Sequence, residues 1–177
     1  MYKLADPIRQ MAGIRSKVAG EAFERMLNAS CKYYQDEGVA VIEKTPEPMR
    51  IIKVYDRHRG QYIAIFEKQA QADYKGVLCD GKAILFEAKH TDQDRISRNV
   101  ITETQENILD DFAVMGAQCF VFVSFGFKNY YRVPWNVFRD MKKIFGRKYI
   151  KESEMMQYRI TVKNCLLLIL DGIEINE

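Results

Sequence analysis

The chain has 177 residues, the size of one domain with a sizeable core, so we expect a single domain over residues 1–177. Its composition, 47% hydrophobic and 29% charged, is typical of a globular protein, and its longest apolar run, residues 165–170, is far too short to cross a bilayer. The N-terminus lacks the apolar stretch of a secretory signal, and the four cysteines include no C-x-x-C pair. These features predict a cytoplasmic protein with buried free thiols, and they indicate neither zinc nor disulfides.

The N-terminal part of the chain predicts an arm followed by a helix. Residues 1–16 show no clear periodicity and predict a loosely ordered arm. Arg9, Arg15 and Lys17 make this part of the chain basic. Over residues 18–34 the apolar residues recur at helical spacing, which predicts an amphipathic helix. Glu24 lies on the apolar side of that helix and needs a partner there, so a salt bridge to a Lys or Arg and a role beside a metal pocket both stay open.

Three strands are predicted next, and two of them form a hairpin. Residues 38–43 predict a short strand, and the proline-containing segment after it predicts an extended turn. Residues 49–66 then predict two strands joined by the polar tip DRHRG at residues 56–60. Arg57 and Arg59 make the tip basic, so we interpret the hairpin as an arm that projects from the core. A solvated tip without function is the alternative.

The most informative residues are two carboxylates and a lysine on the next two predicted strands. Residues 83–89 alternate in polarity, which places Glu87 and Lys89 on one face of a strand, and Asp73 begins the strand before it. Carboxylate oxygens suit Mg²⁺ or Mn²⁺, and a lysine beside them can hold an attacking water or stabilise developing phosphorane charge. The pattern predicts the site of a metal-dependent nuclease, with surface carboxylates that merely face water as the alternative.

The turn between these strands decides whether the carboxylates meet. If residues 79–81 form a turn closed by Gly81 in the left-handed conformation, counting back places Asp73 directly opposite Glu87. Cross-strand partners share a face, with Cβ atoms about 5 Å apart. A two-residue turn would instead place Asp73 opposite Ala88, on the wrong face. We therefore expect Gly81 to contribute to the geometry of the site.

The remainder of the chain predicts a loop, two helices and three strands. In order, these are a flexible polar loop at residues 90–99, a helix at 101–115, strands at 118–124 and 130–133, a helix at 136–145 and a strand at 165–170. The predicted buried stripe of the first helix is Ile101, Ile108, Leu109, Phe112 and Met115. Gln105 lies within that stripe and needs a hydrogen-bond partner, which could be a backbone carbonyl, a metal-bound water or Lys89. The order of elements predicts an α/β domain with a mixed sheet.

Basic residues are clustered, although the net charge is only +3. One cluster lies in residues 139–151 and another in residues 50–59. The candidates for contact with DNA phosphates are Arg57, Arg59, Lys75, Lys142, Lys143, Arg147 and Lys148. A solvated helix face or loop is the alternative for each cluster, and contact with a polyanion is the functional interpretation.

Six short strings, together with the spacing Gly20-x-x-x-Glu24, resemble the RecU family of Holliday junction resolvases, which lies within the PD-(D/E)xK nucleases. The strings are EKTPEP at 43–48, DYKGV at 73–77, FEAKHT at 86–91, ITETQ at 101–105, GAQCFV at 116–121 and GRKYI at 146–150. They occur in the family's order and cover nearly the whole chain from Gly20 onward.

The resemblance implies a fold and a set of roles. The fold would be a restriction-endonuclease-like core, with a mixed sheet flanked by helices and the hairpin 49–66 as a stalk that enters the branch point. Asp73 and Glu87 would bind Mg²⁺ or Mn²⁺, Lys89 would be the catalytic lysine, and Gln105 and Glu24 would complete the site. The family is dimeric, so the resemblance implies a homodimer. It implies no organic cofactor and no membrane partner.

Some residues depart from the family's pattern. The chain resembles the phage or prophage versions of the family. Gln71 stands where the family tends to have Thr, and Thr104 stands where we would expect His. The predicted register places Gln71 opposite Lys89, where its amide could support the lysine. The resemblance as a whole implies an endonuclease that nicks four-way junctions symmetrically during recombination and repair. Two alternatives stay open: a nuclease of the same core that acts on other DNA structures, and a non-catalytic DNA-binding accessory protein.

Overall fold

The computed structural model describes residues 7–66 and 71–173, and a mixed sheet lies at its centre. The helices are α1 (Pro7–Asp36), α2 (Glu103–Val114), α3 (Trp135–Arg139) and α4 (Met141–Phe145). The strands are β1 (Ala40–Lys44), β2 (Met49–Asp56), β3 (Gln61–Phe66), β4 (Tyr74–Leu78), β5 (Ala83–Thr91), β6 (Arg95–Ser97), β7 (Gln118–Phe125), β8 (Asn129–Pro134), β9 (Tyr149–Lys151), β10 (Val162–Lys163) and β11 (Leu166–Leu167). The central sheet has the order β1-β4-β5-β7-β8, in which only β5 and β7 are parallel neighbours. The predicted α/β class with a mixed sheet flanked by helices is confirmed.

Two buried clusters, one on each face of the sheet, hold these elements together. On one face, Phe23 of α1 belongs to the same cluster as Phe86 of β5. On the other face, Leu109 of α2 and Trp135 of α3 belong to the same cluster as Leu85. Successive β5 residues thus enter opposite clusters, as expected for a strand buried on both faces. Strand β5 is therefore fixed from both sides, which makes it a rigid platform for the residues that follow Phe86.

Helix α1 extends further toward the N-terminus than the sequence predicted. The structure gives residues 7–16 as helix, where we expected a loosely ordered arm, and residues 1–6 of that arm lie outside the described residues. Among the side chains that the structure describes in this part of the helix, Met11, Ile14 and Val18 are exposed and form no buried stripe. Periodicity reveals a helix only where one face packs against something, which explains why the sequence pattern missed it.

The predicted hairpin is present and stands apart from the central sheet. Strands β2 and β3 form a separate two-stranded antiparallel sheet, and the turn between them carries the basic tip. Apolar side chains along both strands are exposed, including Tyr55 at 74% and Phe66 at 67%. Because an apolar ribbon of this kind is not explained by packing within the described chain, it is a candidate for contact with another molecule.

Three predicted elements differ from the structure. The loop expected over residues 90–99 contains β6, which pairs with β9, a partner that the local sequence does not specify. The helix expected over residues 136–145 is interrupted at Asp140 and becomes α3 and α4. The strand expected over residues 165–170 pairs only through β11, outside the central sheet, because Asn164 and Cys165 have positive φ and turn the chain back onto β10.

The buried stripe of α2 is shorter than predicted. Ile101 and Leu109 are buried, whereas Phe112 and Met115 are exposed at 42% and 86%. The C-terminal end of α2 therefore does not pack on the sheet, although Gly116 ends the helix with a φ of +88°, as expected for a glycine in that role.

The prediction of buried free thiols holds for two of the four cysteines. Cys31 and Cys119 are buried free thiols, as predicted, whereas Cys79 and Cys165 are free but exposed. Among the residues that the structure describes, no helix combines the length and the apolar character needed to span a membrane.

A substitution at Gly76 of β4 would test the pairing of β4 with the edge strand β1. A Cβ at this position would lie 2.1 Å from the Val41 carbonyl oxygen and 2.6 Å from the Ile42 Cα, which are backbone atoms of β1. We expect Gly76→Ala to lower the free energy of unfolding by about 2 kcal/mol or more, because the strands must separate. The measurement is urea unfolding. Gly20→Ala is the control: it meets nothing within 4 Å on α1 and should be neutral or stabilising by up to about 1 kcal/mol. Equal stability of Gly76→Ala and the parent would contradict the described pairing of β1 with β4.

Candidate active site

The register of β4 against β5 brings the predicted carboxylates together. Tyr74 lies opposite Phe86, so the next pair outward is Asp73 and Glu87, and the Asp73 N–H donates to Glu87 Oε1 at 3.2 Å. The turn has the predicted form, because Gly81 has a φ of +84°. Its closing hydrogen bonds run from the Leu78 N–H to the Lys82 carbonyl at 2.9 Å and from the Gly81 N–H to the Leu78 carbonyl at 2.9 Å. The prediction that Asp73 faces Glu87 is confirmed.

Lys89 joins the two carboxylates. Its Nζ donates to Glu87 Oε2 at 2.7 Å and to Asp73 Oδ2 at 3.3 Å. The Ala88 N–H also donates to Asp73 Oδ2, at 2.9 Å. The Glu87 side chain is fully buried, whereas the side chains of Asp73 and Lys89 are 26% and 19% exposed. Glu87 therefore forms the floor of the site, and Asp73 and Lys89 form its solvent-facing surface.

Gln105 completes the cluster from α2. Its Nε2 donates to Glu87 Oε2 at 2.5 Å, so its partner is the carboxylate itself rather than Lys89 or a backbone carbonyl. Its Oε1 accepts from the backbone N–H and the hydroxyl of Thr102, each at 3.1 Å, in the capping box that begins α2. The sequence TETQ at residues 102–105 carries that signal, because Thr followed three residues later by Gln is a helix-start motif. The cap thus fixes Gln105 and aims its amide at Glu87.

Burial and the neighbouring charges act in opposite directions on the pKa values of Glu87 and Lys89. Burial raises the pKa of Glu87 to about 8, Lys89 opposes this shift, and the charge of Asp73 adds to it. Burial alone would lower the pKa of Lys89, but the charges of Glu87 and Asp73 outweigh it and raise that pKa. Three donors reach Glu87, namely Lys89, Gln105 and the Asp73 N–H, and they favour its ionised form, whereas the Asp73 carboxylate beside it favours the protonated form. A cation bound between the two carboxylates would favour the ionised form of both.

The donor set fits a hard divalent cation. Asp73 and Glu87 offer carboxylate oxygens to a common position, as their shared contact with Lys89 demonstrates. Within residues 7–66 and 71–173, no three or more His, Cys, Asp or Glu side chains gather in a metal-binding arrangement. Two carboxylates and several retained waters form a typical Mg²⁺ site, whereas Zn²⁺ prefers nitrogen and sulfur ligands. The residues present therefore fit Mg²⁺ or Mn²⁺.

Glu24 is not in contact with this cluster. Its Oε2 pairs with Lys44 Nζ at 2.5 Å, which is the salt-bridge interpretation of the sequence. Lys44 lies opposite Tyr74, and the Tyr74 hydroxyl donates to the Glu24 carbonyl at 3.1 Å, so these groups occupy the α1 face of the sheet. Asp73, one residue before Tyr74, faces the other way. Any role of Glu24 in the metal site stays a prediction, since the structure connects it to the cluster only through this neighbouring tyrosine.

The suggested support of Lys89 by Gln71 is not present. Gln71 is exposed, and its Oε1 accepts from Lys75 Nζ at 3.4 Å. Strand β4 begins at Tyr74, so the cross-strand ladder that would place Gln71 beside Lys89 does not extend that far. Thr104 is likewise exposed on the first turn of α2. Lys75, a candidate for DNA contact, stays exposed despite its hydrogen bond.

The predicted basic residues divide into two groups. Lys142, Lys143 and Lys148 are exposed, as contact with phosphates requires. Arg147 instead forms an ion pair with Glu154, and its guanidinium lies 4.8 Å from the centre of the Tyr149 ring, so its contacts are structural. At the hairpin tip, the Asp56 carboxylate accepts the N–H groups of His58 and Arg59 and pairs with the Arg59 side chain at 3.6 Å. This carboxylate shapes the tip and presents Arg57 at its end.

A basic cavity lies along α2, and the sequence did not predict it. It is lined by Arg98, Asn99, Glu106, Arg139, Lys142 and Lys148. Arg98 pairs with Glu106 at 2.7 Å, and Arg139 pairs with Asp110 at 2.9 Å, so both arginines are held by α2. Glu106 belongs to α2, so the cavity lies on the flank of that helix. The residues come from segments far apart in sequence, so spacing alone gave no signal for their meeting.

Gln105 offers a test of the cluster that does not require a substrate. Gln105→Glu keeps the capping box but places a second carboxylate against Glu87 in place of a donor. We expect the free energy of unfolding to fall by about 1–3 kcal/mol, because a buried acceptor loses its partner and gains a like charge. The measurement is urea unfolding at low ionic strength. Thr102→Ala, which removes the capping hydroxyl and adds no charge beside Glu87, should cost about 1 kcal/mol. A Gln105→Glu variant as stable as the parent would contradict the contact between Gln105 and Glu87.

Comparisons with known proteins identify relatives of this chain. Curated relatives named Holliday junction resolvase RecU include those of Bacillus pumilus, 31% identical over 84% of this chain and 78% of the relative, and of a Geobacillus species, 33% identical over 78% and 73%. A Streptococcus pneumoniae relative of the same name is 31% identical over 81% of this chain and 75% of its own. The solved structure of Hjc, a Holliday junction resolvase from Archaeoglobus fulgidus, matches with a TM-score of 0.49 at 14% identity and covers 77% of this chain and 91% of that one. The family model for recombination protein U matches residues 18–176. The chain belongs to the recombination protein U (RecU) family.

Proposed function

We propose that this protein is a Holliday junction resolvase, a metal-dependent endonuclease that nicks four-way DNA junctions during recombination and repair. The observation that carries the proposal is the cluster of Asp73, Glu87 and Lys89, which meet within hydrogen-bonding distance on adjacent strands. The name shared by the curated relatives supports the choice of substrate. A non-catalytic accessory role is disfavoured, because a fully buried carboxylate supported by three donors has no evident structural purpose.

The residues of the cluster divide the chemistry among them. Asp73 and Glu87 would hold Mg²⁺ or Mn²⁺, which when bound supplies Lewis-acid stabilisation of the phosphate and a water of lowered pKa. Lys89, kept protonated between the two carboxylates, can donate N–H groups to a phosphate oxygen or orient the attacking water. Gln105 fixes the carboxylate of Glu87. Because Glu87 is fully buried and Asp73 is not, the scissile phosphate would approach from the side of Asp73 and Lys89.

Other basic residues would hold the rest of the substrate. Lys142 and Lys148 line the cavity on the flank of α2, and Lys75 is exposed on β4 next to Asp73. Each phosphate that such cations neutralise releases counterions, so we expect binding to weaken steeply with salt. Arg57 and Arg59 at the hairpin tip would contact the DNA at a separate place.

The hairpin would provide the selectivity for branched DNA. It stands apart from the central sheet, ends in a basic turn and exposes apolar side chains on its strands. A cutter of linear duplex needs no such projection, whereas a four-way junction has an open centre that an arm can enter. Symmetric nicking needs two active sites related by a twofold axis, so the proposal includes a homodimer. We also propose that the protein acts in the cytoplasm.

The central test is cleavage of a synthetic four-way junction compared with linear duplex of the same sequence, with and without MgCl₂. Asp73→Asn and Glu87→Gln should each lower the cleavage rate by at least about 100-fold and leave junction binding unchanged, because cation binding is lost and the basic surface is kept. Asp36→Asn, an exposed carboxylate on α1, is the matched control and should cleave normally. Undiminished nicking by both site variants in MgCl₂ would rule out this cluster as the active site. Equal cleavage of duplex and junction by the parent would favour the broader nuclease.

The hairpin tip is tested by replacing residues 56–60 with a two-residue turn. We expect the fold to survive, because the tip lies outside both buried clusters. Selectivity for junction over duplex should fall, while general affinity for DNA persists through Lys142 and Lys148. Binding and cleavage of both substrates are measured at several salt concentrations. The double variant Arg57→Ala, Arg59→Ala separates charge from shape, since it keeps the turn. If the shortened hairpin cleaves junctions at the parental rate and with the parental preference, the tip is a structural embellishment.

A further inference from the structure

The cavity along α2 is lined by residues that backbone contacts hold together. The Arg98 N–H donates to the Lys148 carbonyl at 2.9 Å, directly beyond the pairing of β6 with β9. Asn99 follows Arg98, and its Oδ1 accepts from the Ser97 hydroxyl at 2.7 Å. Arg98, Asn99 and Lys148 all line the cavity, although they come from segments far apart in sequence. These contacts fix the backbone of three lining residues relative to one another.

The two arginines of the cavity differ in the donors that they have left. Arg139 donates through Nε and Nη2 to Asp140, at 3.1 and 3.0 Å, and through Nη1 to Asp110 at 2.9 Å, so contacts within the protein engage all three nitrogens. Arg98 pairs through Nη2 with Glu106 at 2.7 Å, and its side chain is only 13% exposed. This pair leaves Nε and Nη1 of Arg98 as donors. Arg98 is therefore held in place and can still bind a ligand.

The lysines give the cavity its charge for a ligand. Glu106 offsets Arg98, and the carboxylates that Arg139 contacts offset that arginine. Lys142 and Lys148 line the same cavity and are exposed, and in the part of the chain that the structure describes neither forms an ion pair. Two uncompensated cations thus face a space whose other donors are fixed, which favours an anion.

The size and polarity of the cavity select the kind of anion. Its volume is about 340 Å³, which is many times the roughly 30 Å³ that one water occupies, so a phosphate group fits together with some of its water. Each lining residue is polar or charged, which disfavours an apolar ligand. The oxygens of a phosphate group accept several hydrogen bonds at once, and a guanidinium binds them through neighbouring N–H groups.

We propose that this cavity is a discrete phosphate-binding site, which takes one backbone phosphate of the bound DNA. Lys142 and Lys148 supply the charge, and Arg98 and Asn99 donate hydrogen bonds to the phosphate oxygens. The site is separate from the one for the scissile phosphate at the carboxylate cluster. The inference rests on the proposed function for the identity of the ligand as DNA, whereas the phosphate chemistry follows from the lining residues themselves. It differs from general surface charge because neutral Asn99 contributes and both lysines bind the same phosphate.

The first test uses inorganic phosphate and no DNA. Sodium phosphate is titrated into the ¹⁵N-labelled protein, and sodium chloride at matched ionic strength is the reference. We expect saturable shifts of the amide signals of residues 97–99 and 148–149 with phosphate and not with chloride. The double variant Lys142→Gln, Lys148→Gln should weaken that binding by at least about tenfold, because both charges are lost. Identical responses to phosphate and chloride in the parent would overturn the inference.

The second test measures DNA binding without divalent cations, so that no cleavage occurs. Asn99→Ala should weaken binding by roughly fivefold and leave the salt dependence unchanged, because it removes a hydrogen bond and no charge. Asn107→Ala, an exposed amide on α2 that does not line the cavity, is the matched control and should bind as the parent does. Melting temperatures establish that each variant is folded.

The salt dependence of the double lysine variant shows whether the lysines share one phosphate. Each lost phosphate contact lowers the slope of log affinity against log salt concentration by about 0.9. A shared phosphate predicts a change of about 0.9 for Lys142→Gln, Lys148→Gln, whereas two separate phosphates predict about 1.8. Lys163→Gln, an exposed lysine on β10, is the control for the loss of a charge elsewhere and should keep the parental slope.

The outcomes separate this inference from the proposed function. If the parent binds DNA but Asn99→Ala binds as tightly as Asn107→Ala, or the double lysine variant changes the slope by about 1.8, the cavity is only part of a charged surface. The inference is then overturned, and the proposed function stands. If the parent binds no DNA, the proposed function fails, and the assignment of this cavity to a DNA phosphate fails with it.

Discussion

The register of β4 against β5 is the constraint on which the active site depends. Side chains alternate along a strand, so a shift of one residue would turn Asp73 to the face occupied by Phe86 and leave Glu87 without its neighbour. The three-residue turn ending at Gly81 sets that register, since Gly81 adopts a positive φ that other residues resist. The buried faces of β5 reinforce it, because Leu85 and Phe86 enter different clusters. Local turn chemistry and burial on both faces thus favour the same pairing, which is the condition for a unique fold.

The second constraint is electrostatic. Glu87 lies at the floor of the site, where burial raises its pKa to about 8, and the charge and hydrogen bond of Lys89 oppose that rise. Lys89 provides charge, whereas Gln105 provides a directed amide that the helix cap holds in place. A carboxylate in this setting gains more from an added cation than an exposed carboxylate does, because the local dielectric is low. The same burial that costs stability therefore favours cation binding.

Whether the sequence predicted a feature depends on how far apart in the chain the interacting residues lie. The turn at Gly81, the pairing of Asp73 with Glu87 and the inward direction of Gln105 depend on contacts within one hairpin or one helix, and local patterns predicted them. The pairing of β6 with β9 and the cavity that joins Arg98 to Lys148 depend on segments about fifty residues apart, for which spacing carries no information. The ion pair of Glu24 with Lys44 was one of two interpretations, and it forms only in the assembled sheet, while a role of Glu24 in the metal site stays a prediction.

The separation of the β2–β3 hairpin from the central sheet has a consequence for its dynamics. An isolated two-stranded ribbon is only marginally stable in water, and this one shares no buried cluster with the described core. Its amides should therefore exchange with solvent through local opening, at a free energy well below that of global unfolding, while the amides of β5 and β7 exchange only when the whole domain unfolds. A ligand that ordered the ribbon would slow that exchange there first. The central sheet and its helices should thus unfold cooperatively, whereas the order of the β2–β3 hairpin should depend on the molecule that it contacts.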